Sequence, residues 1–287
     1  MGEENGKYGK QLGREKEKAL GEIVRDAELG LSCPERICIN VMLAGALEPI
    51  ADKKGCTTRY VDLKPSKSLE LFVAAGVSSG PAFAHLAQHV IVSGKAQGAY
   101  RYFHEAQALS KIKRSGGKVN QGIIELLTPI VAAQALFDPT FRRDYRFILN
   151  KAREVMILTS KEDVRWLIET KKLANRLSCF DRYPVAEHEV ESVIDYYEEE
   201  LRLESARGNL KGMQFNMQFL EGFEGVRIAY DAMAASKKQK ISEKGVEAYE
   251  ALHWRYTCEE MGVGTFADII AATLYLYISY GKGEVIL

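Results

Sequence analysis

Three short stretches of this 287-residue chain hold polar residues and glycines at a density that a packed helical core does not require. The first, EPIADKKGCTTRYVD (48–62), gathers Glu48, Lys53, Lys54, Gly55, Thr57, Thr58, Arg59 and Asp62. Ammonium, guanidinium and hydroxyl groups make charge-assisted bonds to phosphate oxygens. A glycine among them lets backbone N–H groups approach an anion closely. The second, RSGGKVNQG (114–122), places Arg114, two glycines, Lys118, Asn120 and Gln121 ahead of a long apolar run. The third, GVGTFAD (262–268), again sets glycines ahead of a helix, with Thr265 and Asp268 spaced as a capping box.

A helix start presents unpaired N–H groups and the positive end of the helix dipole, both of which favour an anion. Each stretch also has a plain structural reading: a solvated loop, an Asn-capped helix start, and a capping box with its acid well placed on the dipole. If the three converge, they form one pocket of polyphosphate size.

The segments around them have helical period almost throughout. Helices are expected over 14–30, 35–51, a stretch beginning near Ser66 or Ser68, 97–113, within the stretch from 114 to about 137, 141–158, and onward from a capping box at Ser160 and Asp163. Further helices are expected over 186–206, 209–235, 242–258 and 264–280. Gly76, Gly80 and Pro81 mark a kink or break in the third of these. The run YYEEELRLE reads as a solvated face, and His85 and His89, four apart, read as packing residues. No period-two run and no Asn-Gly or Asp-Gly hairpin signal occurs. The fold class is therefore all-α, a single helical-bundle-like domain over 16–287, with a charged, disordered N-terminus over 1–15.

Lysine plus arginine equals aspartate plus glutamate, at 39 each, so no basic excess calls for nucleic acid. The most apolar stretches, near 119–137 and 266–280, are shorter than about 18 uninterrupted apolar residues and read as buried helices rather than membrane spans. Five scattered cysteines, an odd number, fit a reducing cytoplasm and no disulfide framework. Cys33 and Cys38 have no second pair at zinc spacing. No G-x-S-x-G or Walker A motif appears, and no G-x-G-x-x-G occurs in a parallel-sheet setting.

The same three stretches carry a resemblance. In order along the chain, they resemble motifs of the triphosphoribosyl-dephospho-CoA synthase family, in its shorter archaeal and methylotroph-type branch. That family has a glutamate followed by K-P-G-x-V-x-R-x-x-D; here Glu48, Lys53, Gly55, Arg59 and Asp62 match, with Lys54 for proline and Thr57 for valine. Its middle motif, G-x-N-T-N-L-G-I-x-L-L-L-A-P-L, is met by Asn120, Gly122 and Pro129, with Lys118-Val119 for Asn-Thr. Its last, N-P-G-T-S-A-D-L-L-A-A-T-L-F, is met by Gly264, Thr265, Ala267 and Asp268, with Gly262-Val263 for Asn-Pro.

The resemblance implies an all-helical transferase that moves a triphosphoribosyl group from ATP to a dephospho-CoA-like acceptor and releases adenine. It implies Glu48 and Asp62 as the catalytic carboxylates. Lys53, Gly55, Arg59, Lys118, Asn120, Gly264 and Thr265 would bind the phosphates or substrate, and Asp268 would bind Mg²⁺ brought with ATP. The partners are then ATP and a coenzyme-like small molecule, with no nucleic acid and no membrane; a homo-oligomer is left open. The altered motif positions carry a second reading, a non-catalytic helical nucleotide- or coenzyme-binding protein, or a partner subunit, derived from that family. The enzyme reading requires Glu48, Arg59, Asp62, Asn120 and Asp268 to converge on one pocket.

Overall fold

Two apolar helices whose polar heads lie at the same end of the molecule organise the computed structural model. It describes residues 30–62, 67–111, 119–175, 190–257 and 260–281. The expectations for 1–15, for the helix over 14–30 and for Lys118 fall outside these residues. Among the described residues there are eleven α-helices with given bounds, one 3₁₀ turn and no strand. In chain order they are α1 (Cys33–Leu47), the 3₁₀ turn (Glu48–Ile50), α2 (Leu69–Ser93), α3 (Ala99–Leu109), α4 (Gln121–Phe137) and α5 (Tyr145–Ile157). There follow α6 (Lys161–Asn175), α7 (Val193–Ala206), α8 (Leu210–Leu220), α9 (Glu224–Ala235), α10 (Ile241–Arg255) and α11 (Val263–Tyr280).

Helix α4 is buried from Ile123 to Ala135 and α11 from Ile269 to Tyr277. A helix apolar all round belongs in a core, and these two pack on each other and on α1. The remaining helices wrap them: α2 against α1, α3 and α4; α6 against α3; α7 against α8; and α9 against α10 and α11. By length and apolarity α2 and α11 are long enough to cross a membrane, and both are packed within this bundle.

The structure corrects four local expectations. First, α2 runs unbroken through Gly76, Gly80 and Pro81. The glycines serve packing: a Cβ on Gly45 of α1 would stand 2.7 Å from the Gly76 Cα, and one on Gly80 would stand 2.4 Å from the Met42 side chain. Small residues let the backbones of α1 and α2 meet. Second, the helix expected over 209–235 is two helices, parted where Gly222 (φ 70°) and Phe223 (φ 62°) turn left-handed. Phe223 is held there by complete burial against Phe219, ring centroids 5.8 Å apart.

Third, YYEEELRLE is solvated on one side only: Glu198 and Arg202 are exposed, while Tyr196, Tyr197 and Glu200 point inward. The Tyr197 hydroxyl donates to Glu125 (2.7 Å), which also pairs with buried Lys171 (3.1 Å). Fourth, α11 begins at Val263 with Gly262 as its N-cap, so Thr265 and Asp268 lie inside the helix and form no capping box. The Ser160/Asp163 box does form. Asp163 accepts from the Ser160 N–H (3.0 Å) and also from the Gly98 (3.1 Å) and Tyr100 (3.0 Å) N–H groups at the head of α3. One buried acid thus caps two helices.

Candidate functional site

The first stretch begins where α1 tightens into the 3₁₀ turn. Proline at the second position of that turn ends the α-helix, and Glu48 is carried into the interior, 2% exposed. Lys53 follows it inward, 1% exposed. Its ammonium lies 3.1 Å from Glu48 Oε1 and donates to the Ala51 carbonyl (2.9 Å) and to the Glu48 carbonyl. Three acceptors use the three ammonium hydrogens, so Lys53 supports Glu48 and has no donor left for a phosphate. Burial pushes the Glu48 carboxyl above the usual carboxylate range, and the neighbouring Lys53 charge opposes that rise.

The loop then lies across the head of α11. Gly55 is left-handed (φ 84°), and a Cβ there would meet the Val263 side chain at 3.2 Å. The Cys56 thiol donates to the Val263 carbonyl (3.4 Å), and the Tyr249 hydroxyl donates to the Lys54 carbonyl (3.0 Å). Beyond Thr58 the loop turns outward. Arg59 is exposed, with its guanidinium 4.7 Å over the Tyr60 ring. Asp62 is exposed too, and its Oδ1 accepts from the Leu69 N–H (2.8 Å). Asp62 therefore caps α2, a task its own N-cap residue Ser68 leaves undone.

Asn120 is the N-cap of α4, left-handed at φ 62°, with no cap bond from its side chain. Its Nδ2 instead donates to the Phe72 carbonyl of α2 (3.1 Å). That bond fixes the amide orientation, because the flipped amide would set two acceptors face to face. Among the described residues Asn120 Oδ1 is left without a hydrogen-bond partner, as is Gln121 Oε1 beside it. The two residues are 6% and 3% exposed.

Gly122 follows, and its lack of a side chain makes room for Asp268 of α11: a Cβ on Gly122 would stand 2.0 Å from Asp268 Oδ2 and 2.5 Å from its Cγ. The carboxylate thus rests against the first turn of α4, at the positive end of that helix.

These elements enclose a cavity of about 310 Å³. Six of the ten residues expected to catalyse, bind substrate or hold metal line it: Glu48, Gly55, Asn120, Gly264, Thr265 and Asp268. They come from segments as far apart as 48 and 268, so the folding of the bundle brings them together. Lys53 stands behind Glu48, while Arg59 and Asp62 are absent from the lining. Of the five side chains that the enzyme reading required to converge, Glu48, Asn120 and Asp268 do and Arg59 and Asp62 do not, so that condition is met only in part.

No family model matches the chain. No curated protein matches it either. Among solved structures it is similar to a protein from Archaeoglobus fulgidus provisionally assigned as a triphosphoribosyl-dephospho-CoA synthase, at 16% identity and a TM-score of 0.49, covering 73% of this chain and 99% of that one. Chemistry rests on the cavity itself.

The lining also includes residues that sequence reasoning did not single out as site residues. Gln121 and Gly122 lay in view within the second stretch, but a buried amide and a contact glycine carry no local signature. Lys67 and Phe72 reach the cavity from the end of the loop and the first turn of α2; nothing in their spacing marks them. Among the described residues no group of three histidine, cysteine, aspartate or glutamate side chains could hold a metal. What the lining offers is the oxygens of Glu48, Asp268 and two amides, together with hydroxyls and Lys67.

Proposed function

We propose that this cavity binds the ribose-triphosphate part of a nucleotide, and that the protein is a cytoplasmic transferase of the triphosphoribosyl-dephospho-CoA synthase type. The observation that carries this reading is the convergence of Glu48, Asn120, Gly264, Thr265 and Asp268, drawn from three separate motifs, on one cavity between two helix starts. A volume of about 310 Å³ sits at the low end of small-molecule sites, roughly 300–1,000 Å³. It accommodates a ribose and phosphates, with the base and the acceptor reaching over the rim.

In the transfer, the bond between ribose C1′ and adenine N9 breaks, and one forms between C1′ and the acceptor hydroxyl oxygen. Positive charge grows on the sugar as adenine leaves, and a nearby carboxylate stabilises it, as in glycoside chemistry. Glu48 is suited to that role and to taking the hydroxyl proton, since burial raises its proton affinity toward the working range of a general base. The proton passes from Glu48 to solvent, and the departing adenine takes one up. Lys53 holds Glu48 in place through its three contacts.

Mg²⁺ fits the donor set, because Asp268 and its neighbours offer only oxygen to it, and one carboxylate completed by substrate phosphates is an ordinary Mg²⁺ arrangement. When bound it neutralises triphosphate charge that Lys67, the lysine of the lining, does not balance alone.

The test is adenine release from ATP and Mg²⁺, with and without dephospho-CoA. Release that depends on the acceptor and is lost in Glu48→Gln is expected; its absence in the wild-type protein overturns the reading. The outward placement of Arg59 and Asp62 favours the second reading, a binding protein without turnover. Thermal stabilisation by ATP without adenine release selects it.

A further inference from the structure

We infer that the head of α4 is a seat for a hard divalent cation, formed by Asn120 Oδ1, Gln121 Oε1 and the Asp268 carboxylate and able to fill before any nucleotide arrives. The inference deepens the nucleotide reading and rests on it for its purpose, but the binding it describes needs no nucleotide.

The argument starts from the two orphan oxygens. A buried acceptor without a partner is costly, and native interiors rarely keep one. Six unpartnered buried side-chain atoms occur among the described residues, and only the Asn120 and Gln121 oxygens stand on consecutive residues, both more than nine-tenths buried and both lining the same cavity. The Asn120 amide cannot turn its N–H inward without losing Phe72. Asn120 therefore offers the cavity an acceptor.

Phosphate oxygens are acceptors as well, so the Asn120 oxygen does not cradle a phosphate directly, contrary to the role the motif resemblance gives Asn120. Something positive or hydrogen-donating must lie between. Asp268 lies against Gly122, the residue that follows the two orphan oxygens, and lines the same cavity, which adds a formal negative charge there. An all-oxygen set with one carboxylate selects a hard cation such as Mg²⁺ or Mn²⁺ over a soft one. The positive end of α4 opposes a cation, and the Asp268 carboxylate resting on that turn offsets it.

With one carboxylate the seat is weak alone and is completed by phosphate oxygens. Cation and nucleotide then tighten one another by the same factor. The rival occupant of the orphan oxygens is a donor on the ligand itself, such as a ribose hydroxyl.

The experiment is Mn²⁺ binding to the full-length protein without nucleotide, read from the loss of the free Mn²⁺ electron paramagnetic resonance signal. Wild type is expected to bind one Mn²⁺. Gln121→Glu, which exchanges an amide oxygen for a carboxylate of nearly the same shape, is expected to tighten binding about tenfold, roughly 1.4 kcal/mol. Gln121→Met is expected to weaken it severalfold, and Asp268→Asn to abolish it. Circular dichroism melting of each variant separates these effects from misfolding.

No Mn²⁺ binding by wild type or by Gln121→Glu, with both folded, overturns the inference, as does binding indifferent to residue 121. A parallel ATP thermal shift keeps the two readings apart. Mn²⁺ binding without any ATP effect sustains the seat and sinks the nucleotide reading. ATP stabilisation that is independent of cation, without Mn²⁺ binding, does the reverse.

Discussion

Gly122 and Gly264 occupy the same position, second in α4 and second in α11, yet alanine should act on them in opposite directions. A Cβ on Gly264 meets nothing within 4 Å, whereas one on Gly122 stands 2.0 Å from Asp268 Oδ2. Alanine in place of a helical glycine stabilises by about 0.5–1 kcal/mol. Gly264→Ala should show that gain undiminished. In Gly122→Ala the Asp268 carboxylate must swing away. Leaving its rotamer costs about 0.5–1.5 kcal/mol, and losing the end of the α4 dipole about 0.3–1 kcal/mol.

The net for Gly122→Ala is a destabilisation of about 1 kcal/mol after the alanine gain is subtracted. The two variants should therefore differ by roughly 2 kcal/mol, or several degrees in melting temperature at about 2–4 °C per kcal/mol. The assay is thermal and urea unfolding of both variants beside wild type, followed by the ATP thermal shift. Gly122→Ala should lose most of the ATP shift although it folds, because Asp268 has left the cavity. In a Gly122→Ala/Asp268→Ala double variant the stability penalty of the alanine should vanish. If Gly122→Ala is as benign as Gly264→Ala and binds ATP normally, Asp268 does not rest on the head of α4 and the site as described is wrong.

Removing Lys53 as Lys53→Met leaves the buried Glu48 carboxylate and two carbonyls unpaired; a loss of about 3–5 kcal/mol in urea unfolding is expected. Arg146→Met, which breaks the exposed pair with Asp231, should cost about 1 kcal/mol or less. Asp163→Ala strands the buried Tyr100 N–H and the half-buried Gly98 and Ser160 N–H groups at the heads of α3 and α6, and should cost about 3 kcal/mol, the low end for three groups at roughly 1–3 kcal/mol each because two are only half-buried. The raised Glu48 proton affinity means the folded state holds this proton more tightly than the unfolded chain. Its stabilising contribution is complete below the unfolded glutamate value near pH 4.3 and is lost as pH rises through the folded value. Glu48→Gln should therefore flatten the fall in stability just above pH 4.3, measured by urea midpoints across pH.

Much of this was legible in the sequence where a local rule governs the outcome. The apolar runs behind Gln121 and Val263 could only be core helices, and the Ser160/Asp163 spacing fixed the start of α6. The misreadings share a cause, a tertiary contact outranking a local signal. Gly76 and Gly80 look like breakers until the approach of α1 explains them. Phe223 adopts a left-handed backbone that no propensity foretells, because its ring is buried against Phe219. In the site, residue type and proximity drew attention to Glu48, Gly55, Asn120, Gly264, Thr265 and Asp268, which the fold brings to one cavity. They could not tell which of Lys53, Arg59 and Asp62 would turn inward. That choice depends on Glu48 being buried and needing an ammonium, and on α2 needing a cap that Ser68 does not supply. The amide oxygens of Asn120 and Gln121 were hidden for the same reason, since only the contact with Phe72 decides which end of the Asn120 amide faces the cavity.

The most direct measurement is the fate of the ribose. ATP labelled in its ribose would be incubated with the protein, Mg²⁺ and dephospho-CoA, and the label followed by chromatography alongside free adenine. The expected result is label on the acceptor with one adenine released per label transferred, and neither product with Glu48→Gln. Label that stays with its adenine, under conditions where ATP plainly stabilises the fold, would contradict glycosyl transfer at this cavity.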